Sequence, residues 1–154
     1  MSFQPAAVEL RAATIPDLRA ILGELEEFWD ERDMAFVHQA LYVHEFGETS
    51  VLAERDGRIL AYLLGFVSQD ATGYIHAVAV RRSARGQDLG RRLYERFEEL
   101  VRARGARSLK AITSPENDGS RAFHVALGFD AELLEGYSPS GGARLVFRRG
   151  LSRA

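Results

Sequence analysis

The chain has 154 residues, 46% apolar and 27% charged, with a net charge of −2 and no cysteine. That is the size and balance of one ordinary globular domain, read here as spanning 1–154, and it excludes disordered and collagen-like chains. Without cysteine there is no disulfide, no thiolate nucleophile and no cysteine-held zinc or iron–sulfur centre. The longest apolar run, Ile59 to Val67, falls well short of the roughly 20 residues that cross a bilayer. No basic lead precedes an apolar core at the N-terminus, so neither a membrane partner nor a signal peptide is expected, and the expected location is cytoplasmic. The small net charge hides an uneven distribution. Residues 1 to 56 carry 4 arginines against 12 acids, whereas residues 81 to 104 carry 8 arginines against 4 acids. An acidic chain is not expected to bind nucleic acid, but the arginine-rich segment leaves room for a local anion site.

In chain order, Val8 to Ala13 alternates as a first strand, and Thr14-Ile15-Pro16-Asp17 reads as a helix start, with Thr14 as cap and Asp17 completing a capping box. The helix is predicted to run to about Trp29, and a second from about Met34 to Glu45. Ser50 to Glu54 and Ile59 to Ser68 are apolar runs joined by Arg55-Asp56-Gly57-Arg58, whose Asp-Gly pair signals a hairpin. Tyr74 to Val80 is a further strand. It leads through an Arg/Gly loop into a long helix in which Leu89, Leu93, Phe97, Leu100 and Val101 share one apolar face, and which Gly105 ends. A short strand (Leu109 to Thr113), a loop, a helix (Ser120 to Leu127) stopped by Gly128, and two strands (about Ala131 to Gly136 and Ala143 to Arg149) complete the chain. The order β-α-α-β-β-β-α-β-α-β-β predicts an α/β (α+β) fold, a mixed sheet with helices on its faces.

The segment Val78 to Arg91 places a glycine-containing turn between a strand and a helix N-terminus. Such turns aim free backbone N–H groups and the positive helix end at one point, where a phosphate binds well. An ordinary strand-to-helix connection is the plain alternative, since the spacing fits neither common phosphate-loop pattern. Arginines at 81, 82, 85 and 91 favour the anion site.

Val78 to Gly90 resembles the acyl-CoA-binding motif Q/R-x-x-G-x-G/A of the GNAT superfamily of N-acetyltransferases, with Arg85 first and Gly90 last. Leu10 to Thr14 with Asp17 resembles that family's opening, and Asn117 to Phe129 its N-x-x-A/S-x-x-x-Y/H-x-x-x-G-F segment, in the variant shared by phosphinothricin-type acetyltransferases. The resemblance implies a mostly antiparallel seven-stranded sheet flanked by about four helices, acetyl-CoA as cosubstrate, no metal, and a primary amine of a small molecule as acceptor. A protein N-terminus or lysine as acceptor, or a weakly catalytic acyl-CoA-binding regulator, are the other readings it allows. A homodimer is a further implied partner.

Carried over by position, Val78, Ala79 and Val80 would bind the pantetheine arm through their backbones, with an amide near Val80 facing the oxyanion. Arg85, Gly86, Gln87, Asp88, Leu89, Gly90 and Arg91 would wrap the pyrophosphate, and Asn117 and Ser120 would approach from the other side. Asp88 departs from the family's middle glycine. Aspartate tolerates the left-handed backbone such a turn requires, but adds a negative charge beside an anionic ligand.

Direct aminolysis of a thioester needs a base for the ammonium, an oxyanion donor and an acid for the departing thiolate. From the residues alone His124 reads first as a partly buried, hydrogen-bonded structural histidine; the resemblance reverses that and gives it as the acid. His76 is the candidate base against a cross-strand packing role. Strict alternation puts it on the face of Val78 and Val80, but relatives carry a bulge on this strand that would break the alternation. His38 and His44 read as structural. Glu24, Glu26, Glu27, Asp30, Glu31 and Asp33 crowd the acceptor side; a solvated helix face explains most of them, and some would attract a cationic amine, with Trp29, Phe36, Tyr42 or Tyr137 as walls.

Overall fold

A computed structural model describes residues 6–152; the first five and last two residues of the expected 1–154 domain lie outside the described residues. The chain opens with β1 (Glu9–Ala12), α1 (Ile15–Gly23) and α2 (Leu25–Trp29), a 3-10 turn at Ala35–Val37, and α3 (Leu41–His44). It continues through β2 (Val51–Arg55), β3 (Arg58–Val67), β4 (Thr72–Val80), α4 (Leu89–Arg102), β5 (Ser108–Thr113), α5 (Asp118–Ala126), β6 (Asp130–Leu134) and β7 (Arg144–Gly150). The seven strands form one sheet in the order β1-β2-β3-β4-β5-β7-β6. Every neighbouring pair is antiparallel except β4 and β5.

Local chemistry explains most element ends. The Thr14 hydroxyl accepts from the Asp17 N–H while the Asp17 carboxylate accepts from the Thr14 N–H at 2.8 Å, a complete capping box. Arg11 grips the same carboxylate and holds its pKa down to about 2. Asp56 and Gly57 both have positive φ, 52° and 77°, the backbone that a two-residue hairpin needs.

The predicted single helix to Trp29 is two. It breaks at Glu24, whose N–H bonds the Ile21 carbonyl at 3.0 Å while its side chain leaves for Arg81. The predicted helix from Met34 to Glu45 is also interrupted. The His38 ring donates Nδ1–H to the Met34 carbonyl at 2.7 Å, taking the acceptor a continuing α-helix would use. Five α-helices therefore stand among the described residues, where about four were expected.

Two cores sandwich the sheet. On one face α4 lays Leu89, Leu93, Tyr94, Phe97 and Val101 over Leu63, Ile75, Leu109 and Phe147. On the other, Ile21 of α1 and Phe28 of α2 cover Leu52, Tyr62, Leu64, Ala77 and Ala79. A fully buried side chain such as Phe97 contributes about 1.5–3 kcal/mol by transfer from water. Gly65 of β3 makes that packing possible: a Cβ there would stand 2.6 Å from the Phe97 ring and 2.8 Å from the Tyr74 carbonyl.

Candidate active site

β4 and β5 pair only from Thr72 to Ile75, against Ser108 to Ala111, although both strands continue beyond. They therefore splay, and the backbone of Val78, Ala79 and Val80 lies along an open cleft with β3 on its other side. The splay begins at a bulge. Leu64 pairs with Ala77 and Gly65 with Ile75, so His76 is the extra residue. The bulge settles the face that alternation left open. Ile75, Val78 and Val80 pack on the α4 side, whereas His76 stacks on Tyr42 with the α3 side and next to Ala77 and Ala79 of the opposite core. His76 thus does not share a face with Val78 and Val80, and Gly65, alone in an apolar strand, was the sequence signal for it.

At the far end of the cleft, Gly86 (φ 84°) and Asp88 (φ 63°) turn the chain into α4. Asp88 adopts the left-handed conformation in place of glycine, yet its carboxylate makes no cap bond to the helix. It instead accepts from Arg91 Nε at 3.0 Å, which lowers the Asp88 pKa and offsets its charge. The first-turn amides of α4 are left without a side-chain cap, the arrangement that suits an incoming anion. Gly90 serves packing rather than turning, since a Cβ there would meet the Phe123 ring of α5 at 3.2 Å. Gln87 accepts from Arg55 at 3.3 Å, and Arg85 reaches the carbonyls of Val80 and Phe28. On the β5 side Asn117 caps α5 by accepting from the Ser120 N–H at 3.1 Å and donates to the Thr113 hydroxyl. An open cleft edge, an uncapped fourteen-residue helix and a glycine turn together fit an extended anionic thioester donor.

The two candidate catalytic histidines differ in their surroundings. His124 is buried, its ring stacked on Phe147 at 4.1 Å. Its Nδ1–H donates to the Ser120 carbonyl at 2.7 Å, so Nε2 accepts the Tyr94 hydroxyl proton, also at 2.7 Å. Burial pushes the His124 pKa down and the Tyr94 pKa up. The core-facing residue of α5 is thus His124 with half-buried Phe123, while Ala126 is exposed. His76 is half-buried. Its Nε2–H donates to the Val37 carbonyl at 2.9 Å, leaving Nδ1 an unprotonated acceptor with no protein partner among the described residues. Burial lowers its pKa too.

Around His76, Tyr42, Phe46, Phe66 and Tyr74 form a continuous aromatic wall, with centroids 4.2 to 6.3 Å apart. Phe36 and Tyr137 stand exposed. His38 is structural: it accepts the Tyr62 hydroxyl proton at 2.6 Å, and Tyr62 in turn accepts from Trp29 Nε1 at 2.7 Å. That chain ties Trp29 to the core rather than leaving it free as a wall. Among the acids, Glu24 pairs with Arg81 and Asp30 with Arg82 and Arg85, and no ion pair engages Glu26, Glu27, Glu31 or Asp33 among the described residues. Sequence reasoning missed Tyr94, Phe66 and Tyr74. Tyr94 lies one position off the apolar stripe of α4, next to Leu93, where its hydroxyl disguised a core residue. No group of three ligating side chains suited to a metal occurs among the described residues.

An open cleft at a β4–β5 splay, ending on a helix N-terminus, is the arrangement expected of the class of acyl-CoA-dependent transferases that the sequence resembles. The family model described as the acetyltransferase (GNAT) family matches residues 15–129. The chain belongs to the GNAT family. It is 29% identical over 115 residues to an L-2,4-diaminobutyric acid acetyltransferase of Nocardia farcinica, covering 69% of this chain and 60% of that protein. It is 32% identical over 121 residues to a mycothiol acetyltransferase of Beutenbergia cavernae, covering 79% of this chain and 35% of that protein. The chain thus spans less than two thirds of the length of these two relatives. A diaminobutyrate acetyltransferase from Paenibacillus lautus, solved with L-2,4-diaminobutyric acid and coenzyme A, shares the fold with a TM-score of 0.73 at 20% identity, over 97% of this chain and 99% of that one. Among the described residues no helix is long and apolar enough to cross a membrane.

Proposed function

We propose that this protein transfers the acetyl group of acetyl-CoA directly to a primary amine of a small molecule. The observation that carries the proposal is the junction at His76. One side of the splay offers a backbone edge and a helix N-terminus to the donor, and the other offers an unprotonated imidazole nitrogen in an aromatic wall to the acceptor. Both curated relatives named above are acetyltransferases, the first acting on L-2,4-diaminobutyric acid, which agrees with a small amine.

The donor supplies an activated acyl carbon. Val78, Ala79 and Val80 hold its arm through their backbone, and the loop from Arg85 to Arg91 receives its diphosphate, with Asn117 and Ser120 bounding the opposite wall. His76 Nδ1 removes the ammonium proton. The freed amine forms the C–N bond as the C–S bond breaks, shedding its second proton to water as the amide forms, and a main-chain amide near Val80 faces the developing negative oxygen. The thiolate regains its proton from the His124 side. His124 there acts with Tyr94, since the one transferable proton between them sits on the Tyr94 hydroxyl, Nδ1–H being held by Ser120. Because burial raises the Tyr94 pKa, the proton shed by the nitrogen returns through water to the hydroxyl as the thiol forms. Neither step needs a covalent acyl-enzyme, in keeping with a chain that has no cysteine.

Thiol release from acetyl-CoA over a panel of diamines, amino acids and peptides tests the proposal. Release with small amines exceeding that with peptides supports it. Peptides outperforming small amines would move the acceptor to a protein, and binding without release would make the chain an acyl-CoA-binding regulator.

A further inference from the structure

The strand that leads to the donor loop ends in arginines that all reach the acceptor side. Arg81 is fixed: it is 1% exposed, with its guanidinium 4.8 Å over the Phe28 ring, 2.8 Å from Glu24 and 2.8 Å from the Ile59 carbonyl. Arg82 and Arg85 are different, since each is about half exposed and both converge on one carboxylate. Arg82 Nη2 lies 2.9 Å from Asp30 and 3.1 Å from the Glu26 carbonyl, and Arg85 Nη2 lies 3.6 Å from Asp30 and 3.3 Å from the Phe28 carbonyl. Asp30 closes α2 with φ 57° and ψ −132°, a backbone state that L-residues rarely adopt. From this joint the chain runs directly to Val37, whose carbonyl holds His76, and to His38, docked on Tyr62.

We propose that Asp30 is a positioning residue that couples the two substrate sites: the donor's diphosphate competes with the Asp30 carboxylate for Arg82 and Arg85, and its binding releases the joint that sets segment 31–38 and, through Val37, His76. The inference rests on the donor-loop reading above, because only a diphosphate at residues 85–91 draws those arginines away. Half-exposed ion pairs suit the role, being weak enough to exchange one anion for another. Coupling of this kind is reciprocal, so an acceptor that stabilises the released segment tightens donor binding by the same factor.

The test uses the full chain with coenzyme A as probe, comparing wild type, Asp30→Asn, Asp30→Glu and, as a charge control, Asp33→Asn. Calorimetry should give roughly two- to tenfold tighter binding for Asp30→Asn, a smaller difference at high salt, no such gain for Asp33→Asn, and a return toward wild type for Asp30→Glu. Hydrogen exchange in 31–38 should speed up when coenzyme A binds wild type and be already fast, and indifferent to coenzyme A, in Asp30→Asn. Protection of 81–91 by coenzyme A with the same Kd and exchange response in both proteins would overturn the coupling alone. Weaker binding by Asp30→Asn overturns it as well, because Asp30 would then hold the arginines for the diphosphate. Binding of coenzyme A without protection of 81–91 overturns the donor-loop reading and the coupling with it.

Discussion

His76 and His124 sit on opposite faces of one sheet, and burial depresses the pKa of both, yet they are equipped for different work. Both nitrogens of His124 are engaged, Nδ1–H by Ser120 and Nε2 by Tyr94, within a shell of four aromatic rings. His76 spends only Nε2–H, on Val37, and stacks one face on Tyr42. The difference shows that a depressed pKa does not identify a base. An unprotonated nitrogen does so only where something can reach it, and under the proposed function it is half-buried His76, its Nδ1 without a protein partner among the described residues, that meets this requirement.

The contrast breaks most sharply at His76. His76→Gln should lower kcat for acetyl transfer by roughly 10²- to 10⁴-fold while leaving the Kd for coenzyme A unchanged. The rate of the parent protein should rise with pH through an ionisation below the ordinary histidine value, because the deprotonated ring is the active form, and this limb should vanish in the variant. Equal turnover in a thiol-release assay would remove His76 from the mechanism.

On the other face, His124→Phe should cost both turnover and stability. The buried Tyr94 hydroxyl loses its partner, at about 1–3 kcal/mol for a group left unpaired, and thermal melting should register it. Tyr94→Phe sharpens the assignment. It keeps the ring and frees Nε2, so kcat should fall if the transferable proton is on Tyr94, and should hold or rise if His124 alone is the acid.

How much of this was legible in the chain follows from the range of the interactions. Thr14 with Asp17, Asp56 with Gly57, and the stripe on α4 are local patterns whose partners lie within a few residues, and each forms as read. What escaped depends on distant partners. The α1–α2 break needs Arg81, 57 residues away, to draw off Glu24. The interruption near His38 needs Tyr62, and the face of His76 needs the register of β3 against β4. The acidic and basic segments were visible as opposite charges, but each was expected to await its own substrate. Part of each instead pairs with the other through Glu24, Asp30, Arg81, Arg82 and Arg85.

Smaller effects probe the same two faces. The rings of buried His38 and His124 and of half-buried His76 all have folded pKa values below the unfolded value of about 6.5. The unfolded chain therefore binds more protons in that interval, and stability should be full above it and fall as pH drops from about 7 toward 5. A Tm constant over this range would contradict neutral burial. On the donor side, Asp88→Gly removes a carboxylate and frees Arg91, so coenzyme A should bind a few-fold more tightly by calorimetry, the gain being limited because Arg91 already offsets that charge at an exposed site.

The central claim, acetyl transfer to a small primary amine across the splay at His76, is tested most directly by thiol release from acetyl-CoA with L-2,4-diaminobutyric acid and other small amines, run in parallel for the parent protein and His76→Gln. Amine-dependent release in the parent that collapses in the variant, with coenzyme A binding preserved in both, is the predicted result. Tight coenzyme A binding with no release for any amine, or release indifferent to His76, would contradict it.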